Sequence, residues 1–296
     1  MIYVHSGDEG IDKLVKRFCA PLFATTEFLQ GGHNESTTSA TVTFVRYQGK
    51  IYAVTCHHVL SAFFAEAIRT KQRIAPAIHS GKTVRQFASY SREGKYRWSF
   101  LSCRDFPEAS DIDSAAELDA LDRANADRPD IAIADITEVW HAVQENRDAE
   151  SIDLDAWVEP DWSVVQPVWV AYGFPNGHKS LVQDKVAAPM PRVAVELASS
   201  LPSIERPTYV LCSTLEIEHG WGFSGLSGGP VLVAHNSDDR YAFVGLTFEG
   251  SPSSKDPEQN AEAFLGKSDI VLRGYHLTPH AFKEWLSNRK FGVELV

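Results

Sequence analysis

Gly225-Leu226-Ser227-Gly228-Gly229-Pro230 runs straight into Val231-Leu232-Val233. A serine between glycines, closed by a proline and followed by an apolar β-type run, is a backbone built to expose one hydroxyl. Glycine lets the chain take positive φ and leaves room for another backbone to approach closely. Proline pins φ and withholds an N–H, which turns the exit toward an extended strand. A serine hydroxyl is a weak nucleophile at neutral pH and needs an adjacent base to take its proton. A histidine and an orienting carboxylate are therefore expected elsewhere in the chain.

Upstream, Thr41-Val42-Thr43-Phe44-Val45-Arg46-Tyr47 and Lys50-Ile51-Tyr52-Ala53-Val54-Thr55 flank a Gln48-Gly49 turn and read as a β-hairpin. Its second strand delivers Cys56-His57-His58-Val59, and a short helix is expected from about Ser61 to Ile68. After Arg128-Pro129, Asp130-Ile131-Ala132-Ile133-Ala134 reads as a buried strand with an acid at its head. An imidazole with an unperturbed pKa of about 6.5 suits proton exchange at neutral pH. A buried carboxylate fixes its tautomer and stabilises the imidazolium. The backbone N–H groups of Gly225 and Ser227 are placed to meet charge developing on a carbonyl oxygen.

Each residue also has a plain structural reading. Ser227 suits a Gly-rich turn that caps its own backbone, His58 a satisfied structural histidine, and Asp130 a strand-entry acid with Asp127 and Asp135 as rivals. Cys56-His57-His58 hints at a metal, but no third and fourth ligand recur at a supporting spacing.

Taken together and in order, Thr55-Cys56-His57-His58-Val59, Asp130-Ile131-Ala132 and Gly225-Leu226-Ser227-Gly228-Gly229-Pro230 resemble the three signatures of chymotrypsin-fold (trypsin-like) serine peptidases. The resemblance spans about residues 38 to 288. It implies an all-β fold: two packed six-stranded antiparallel β-barrels with a C-terminal helix and the active site between them. His58 and Asp130 would come from the first barrel, and Ser227 and the oxyanion donors Gly225 and Ser227 from the second. The chain looks nearer the disulfide-free bacterial branch that includes the HtrA-type proteases, without a PDZ domain, because Val59 stands where secreted members carry a disulfide cysteine.

There are departures from the pattern. His57 fills a slot the family gives to a small residue, although the spacing from Thr55 to Val59 favours His58 as base. The His58-to-Asp130 gap is 72 residues, against roughly 45 in the chymotrypsin template. An extended insertion is therefore expected in the first barrel, within 74–129, where it suits a lid or a regulatory partner. The resemblance places Trp221 at the base of the substrate pocket and Glu249 and Gly250 on its wall, with Glu249 a candidate for selecting a basic side chain.

The chain of 296 residues carries 44% hydrophobic residues and a formal net charge of −11. That composition fits a globular protein with sizeable cores and argues against general binding to nucleic acid or anionic membrane. No apolar run approaches a membrane span. No signal peptide is read at Met1-Ile2-Tyr3-Val4, and the four scattered cysteines fit free thiols, so a cytoplasmic location is expected. The expected organisation is an N-terminal helix and lead-in over 1–36, with Ile11, Leu14, Val15 and Phe18 on one helical face. The first barrel is expected over 37–150 and the second over 151–296. Thr278-Pro279 reads as the cap and first position of a helix running to about Asn288.

The function expected is a serine endopeptidase acting on a protein or peptide through an acyl-enzyme on Ser227, with no cofactor and no metal. One alternative is a catalytically silent barrel used as a binding module. Another is an α/β-hydrolase esterase, since Gly225-Leu226-Ser227-Gly228-Gly229 matches G-x-S-x-G and His276 or His280 lies downstream. That fold requires a helix directly after the serine, and Pro230-Val231-Leu232-Val233 reads as a strand.

Overall fold

The computed structural model describes residues 1–7, 10–26, 39–70, 74–78, 87–88, 100–105, 115–175, 180–182, 185–214, 224–235, 240–251, 269–288 and 291–292. The first half contains β1 (Ile2–His5), α1 (Ile11–Phe18), β2 (Cys19–Thr26), β3 (Ser39–Tyr47), β4 (Lys50–Thr55), α2 (His57–Thr70), β5 (Ile74–Ile78), β6 (Phe87–Ala88), β7 (Phe100–Ser102), α3 (Ala115–Ala124), β8 (Ala132–Asp135), α4 (Trp140–Arg147) and β9 (Ile152–Asp153). The second contains β10 (Val165–Tyr172), β11 (Ser180–Val182), β12 (Lys185–Ala187), β13 (Arg192–Leu197), β14 (Thr208–Thr214), β15 (Pro230–His235), β16 (Arg240–Ser251), β17 (Asp269–His276), α5 (Pro279–Asn288) and β18 (Phe291–Gly292).

The fold is mostly β. Strands β16, β15, β10, β13, β14 and β17 pair in that order, and β17 returns to β16, closing a six-stranded antiparallel barrel. The other large sheet runs β18-β7-β8-β4-β3-β2-β5-β6, with β9 laid parallel against β3; its described ladders do not join end to end. The hairpin of β3 and β4 turns through Gln48 (φ 50) and Gly49 (φ 73). Two positive φ values give the backbone twist that matches paired strands.

Two regions of the first half, the lead-in and helix α2, differ from the sequence expectation. Strand β1 joins the barrel by pairing with β16, and β2 pairs with both β3 and β5. Pro21 sits in β2 because its ladder with β5 begins only at Leu22, so no N–H is needed on that side. Helix α2 begins at His57, earlier than expected, and runs to Thr70. Strand β7 is described from Phe100 onward, and most of 79–114 lies outside the described residues.

Burial explains the arrangement. Helix α1 buries Ile11, Leu14, Val15 and Phe18, the face its spacing marks, with Lys16 and Arg17 near its C-terminus where the helix dipole favours cations. Trp169, Val193, Tyr209, Leu211, Val231, Val233, Val244 and Leu272 fill the barrel. Leu22, Phe44 and Ala53 of the other sheet pack with Leu60, Phe63 and Phe64 of α2. A third cluster lies between the sheets and joins Val45, Tyr52 and Ile133 to Tyr172, Leu232 and Tyr275, with Phe282 and Trp285 of α5. Thr278 accepts a hydrogen bond from the Ala281 N–H at 3.0 Å, the N-cap its sequence position implied.

Candidate active site

His58 stands in the first turn of α2, directly after β4. Its backbone N–H donates to Asp130 Oδ1 at 2.9 Å, so a carboxylate distant in sequence caps this helix and meets the positive end of its dipole. Cys56 offers no such cap, which is why the sequence pattern placed the start of α2 too late. The other oxygen, Asp130 Oδ2, lies 2.6 Å from His58 Nδ1. His58 Nε2 lies 2.8 Å from Ser227 Oγ.

Charge assigns the proton positions. Burial pushes the Asp130 carboxyl up, but the charge and hydrogen bonds of His58, with Arg104 beyond, outweigh it and hold the group down at about 2. An ionised carboxylate accepts and cannot donate. Nδ1 of His58 is therefore the donor, and in the neutral ring Nε2 is left with a lone pair facing the Ser227 hydroxyl. This tautomer is the one a serine base requires.

The Ser227 turn is held from both sheets. Gly225 has φ 104 and Gly228 φ 85. A Cβ on Gly228 would stand 2.2 Å from the Thr41 carbonyl oxygen, so the close approach of β3 itself requires glycine. Thr41 Oγ1 donates to the Gly225 carbonyl at 2.7 Å and accepts from the Phe174 N–H at 2.9 Å. Thr43 Oγ1 donates to the Gly228 carbonyl at 2.7 Å, and the Thr41 N–H donates to the Ser227 carbonyl at 3.1 Å. On the barrel side, Gly228 N–H donates to the Thr247 carbonyl at 2.8 Å. With these carbonyls engaged, the Gly225 and Ser227 N–H groups meet no acceptor among the described residues.

His57 and Asp135 are occupied elsewhere, and Asp127 is exposed. His57 is buried, with Nδ1 2.6 Å from Ser102 Oγ and Nε2 3.1 Å from Ser61 Oγ. Asp135 accepts from Lys50 at 2.9 Å and from Thr137. His276 is buried on β17, and His280 lies near Glu284 on α5. The chain after Ser227 enters strand β15 and no helix, so the elbow of an α/β-hydrolase is not formed. Glu249 is exposed and paired with Arg273 at 2.7 Å, directly across the β16–β17 ladder. Gly250 sits next to it opposite Leu272. Trp221 lies outside the described residues. No cluster of three or more His, Cys, Asp or Glu side chains among the described residues could hold a metal ion, and no described helix is long and apolar enough to cross a membrane.

Thr41, Thr43 and Tyr275, whose hydroxyl accepts from the Asp130 N–H at 2.9 Å, make contacts here that sequence patterning did not mark. The two threonines read as ordinary residues of a strand, and Tyr275 carried no reading of its own. No local signal separates them from their neighbours.

No family model and no curated protein matches the chain. Among solved structures it is similar to a thermostable serine protease, AL20, from an extremophilic microorganism, at 11% identity and TM-score 0.42, covering 93% of this chain and 97% of that one. It is similar to neuropsin, a serine protease expressed in the limbic system of mouse brain, at 14% identity and TM-score 0.42, covering 94% and 96%. A third is the protease Anisep from Arthrobacter nicotinovorans, at 11% identity and TM-score 0.42, covering 92% and 95%.

Proposed function

We propose that this protein is a serine endopeptidase that cleaves peptide bonds through an acyl-enzyme on Ser227. The observation that carries the reading is the continuous chain Ser227 Oγ, His58 Nε2, His58 Nδ1, Asp130 Oδ2, with links of 2.8 and 2.6 Å. In this reading Ser227 Oγ attacks the scissile carbonyl carbon as its proton passes to His58 Nε2. The carbonyl oxygen, now an oxyanion, receives the Gly225 and Ser227 N–H groups. Collapse breaks the C–N bond, and His58 returns the proton to the leaving amine. Water, deprotonated by His58, then hydrolyses the ester and restores the serine. Asp130 stays ionised throughout.

Glu249 and Gly250 form the pocket wall in this reading. Because Arg273 matches the charge of Glu249, the wall presents an ion pair, and no preference for Lys or Arg at the cleaved position is expected.

The test is covalent labelling with a fluorophosphonate together with a cleavage profile on a peptide library. Wild type should label on Ser227 and cleave, while Ser227→Ala should fold but do neither. A Ser227→Ala protein with wild-type turnover, or a wild type that never labels, would overturn the reading; the latter outcome is that of a silent barrel.

A further inference from the structure

We propose that Tyr275 is a positioning residue of this site: its hydroxyl, delivered by the barrel, holds the backbone of Asp130 and sets the line along which Asp130 meets His58. The inference rests on the reading of Ser227 as nucleophile and His58 as base. The Asp130 N–H donates to Tyr275 Oη at 2.9 Å, and both residues are buried. Both carboxylate oxygens of Asp130 are already committed to His58, one to its backbone and one to its ring. The bond to Tyr275 is thus a third anchor on the same residue, from a different element and a different sheet.

That difference in origin gives the anchor its use. His58 and Asp130 belong to the second sheet with its helix α2, and Ser227 to the barrel. Proton transfer needs Nε2 and Oγ in register across that boundary. The Ser227 turn is tied to the second sheet by Thr41 and Thr43. Tyr275, on β17, ties the acid back to the barrel. Its ring is fixed in turn, stacked on Phe248 at 4.2 Å between centroids and met edge-on by Trp285 at 5.9 Å. Burial pushes the phenol up to about 12, so at neutral pH it is uncharged and places no second anion beside Asp130.

The experiment compares the full-length wild type with Tyr275→Phe and Phe248→Leu. It reads the fluorophosphonate labelling rate of Ser227, kcat and KM on a cleaved peptide, the downfield NMR resonance of the His58–Asp130 proton, and the thermal midpoint. Removing one neutral acceptor should slow labelling and lower kcat roughly three- to tenfold. KM should stay near wild type, and the downfield resonance should broaden or move upfield. A lower thermal midpoint with unchanged rate and resonance would show a structural brace only and overturn the proposal. If Tyr275→Phe does not fold, Phe248→Leu keeps the hydroxyl but removes the ring stack, and should slow labelling in the same direction by a smaller factor. An unchanged rate and resonance in that variant would likewise overturn the proposal. A wild type that fails to label removes the nucleophile reading first and this one with it, whereas a wild type that labels while both variants match it removes this one alone.

Discussion

Asp130 serves two groups at once. Oδ1 accepts the N–H that opens α2, and Oδ2 accepts the ring N–H of His58. An asparagine can satisfy both positions only if its NH2 faces the ring. Nδ1 must then accept, so Nε2 carries the proton and cannot take one from Ser227. Asp130→Asn should therefore fold, yet lose on the order of 10⁴ in kcat, the size this tautomer change has in the Ser-His-Asp template. Peptide turnover measured beside a circular dichroism spectrum checks it, and a loss under tenfold would remove Asp130 from the proposed machinery. These three residue types were legible because their chemistry restricts what can stand in each place and the flanking motifs restrict where. Tyr275 was not, since an aromatic residue in a strand reads the same whether its hydroxyl does anything or not.

The turn from Gly225 to Pro230 is an element shaped by its neighbours. Its glycines were readable as a demand for positive φ and close approach, and Gly228 meets both. What approaches it was not readable, because β3 lies far away in sequence. Thr41→Val keeps the shape of the side chain but removes the hydroxyl that serves the Gly225 carbonyl and the Phe174 N–H. Two buried groups are left unpaired, each costing about 1–3 kcal/mol. Denaturant unfolding should show a loss of at least the lower of these values. Labelling of Ser227 should slow as well, since the Gly225 peptide is no longer held. Equal stability in wild type and variant would mean that water or a backbone shift replaces the threonine. Helix α2 carries the same lesson: its periodicity was visible, but its start depends on Asp130, a cap no local pattern contains.

At the scale of the molecule, the termini cross between the sheets. Strand β1 pairs with β16 of the barrel, and β18 pairs with β7 of the second sheet. Phe282 of α5 meets Tyr47 and Tyr52 edge-on, while Trp285 meets Tyr275. Acid should lower the stability of this assembly over two pH windows. Burial lowers His276 to about 4, and its ring nitrogens have no partner among the described residues. The unfolded chain binds that proton first, so the stability His276 contributes is full above about 6.5 and is lost as pH falls from there through about 4. Asp130, held at about 2, contributes stability present above about 4 and lost between there and 2. Unfolding free energy measured against pH should slope through both windows. Burial also lowers the Met1 amino group to about 5, so His276→Leu should reduce the slope of the upper window without abolishing it and leave the lower one alone; an unchanged slope there would exclude His276 as a source.

Residue chemistry together with a family resemblance was enough to name an ordered His, Asp and Ser set, and local patterning was enough for the β-hairpin that ends at the histidine, the strand after the serine and the capped C-terminal helix. The last three depend on neighbours along the chain: alternation, turn residues, a capping threonine. Packing between distant segments supplied the rest. It closed β16 onto β17, put β1 and β2 into sheets where a lead-in was expected, matched Glu249 with Arg273, and brought Thr41, Thr43 and Tyr275 to the Ser227 turn and Asp130. Those partners are selected by the surfaces the strands present once paired, and hydrogen bonds made across such distances leave no periodic trace in the sequence.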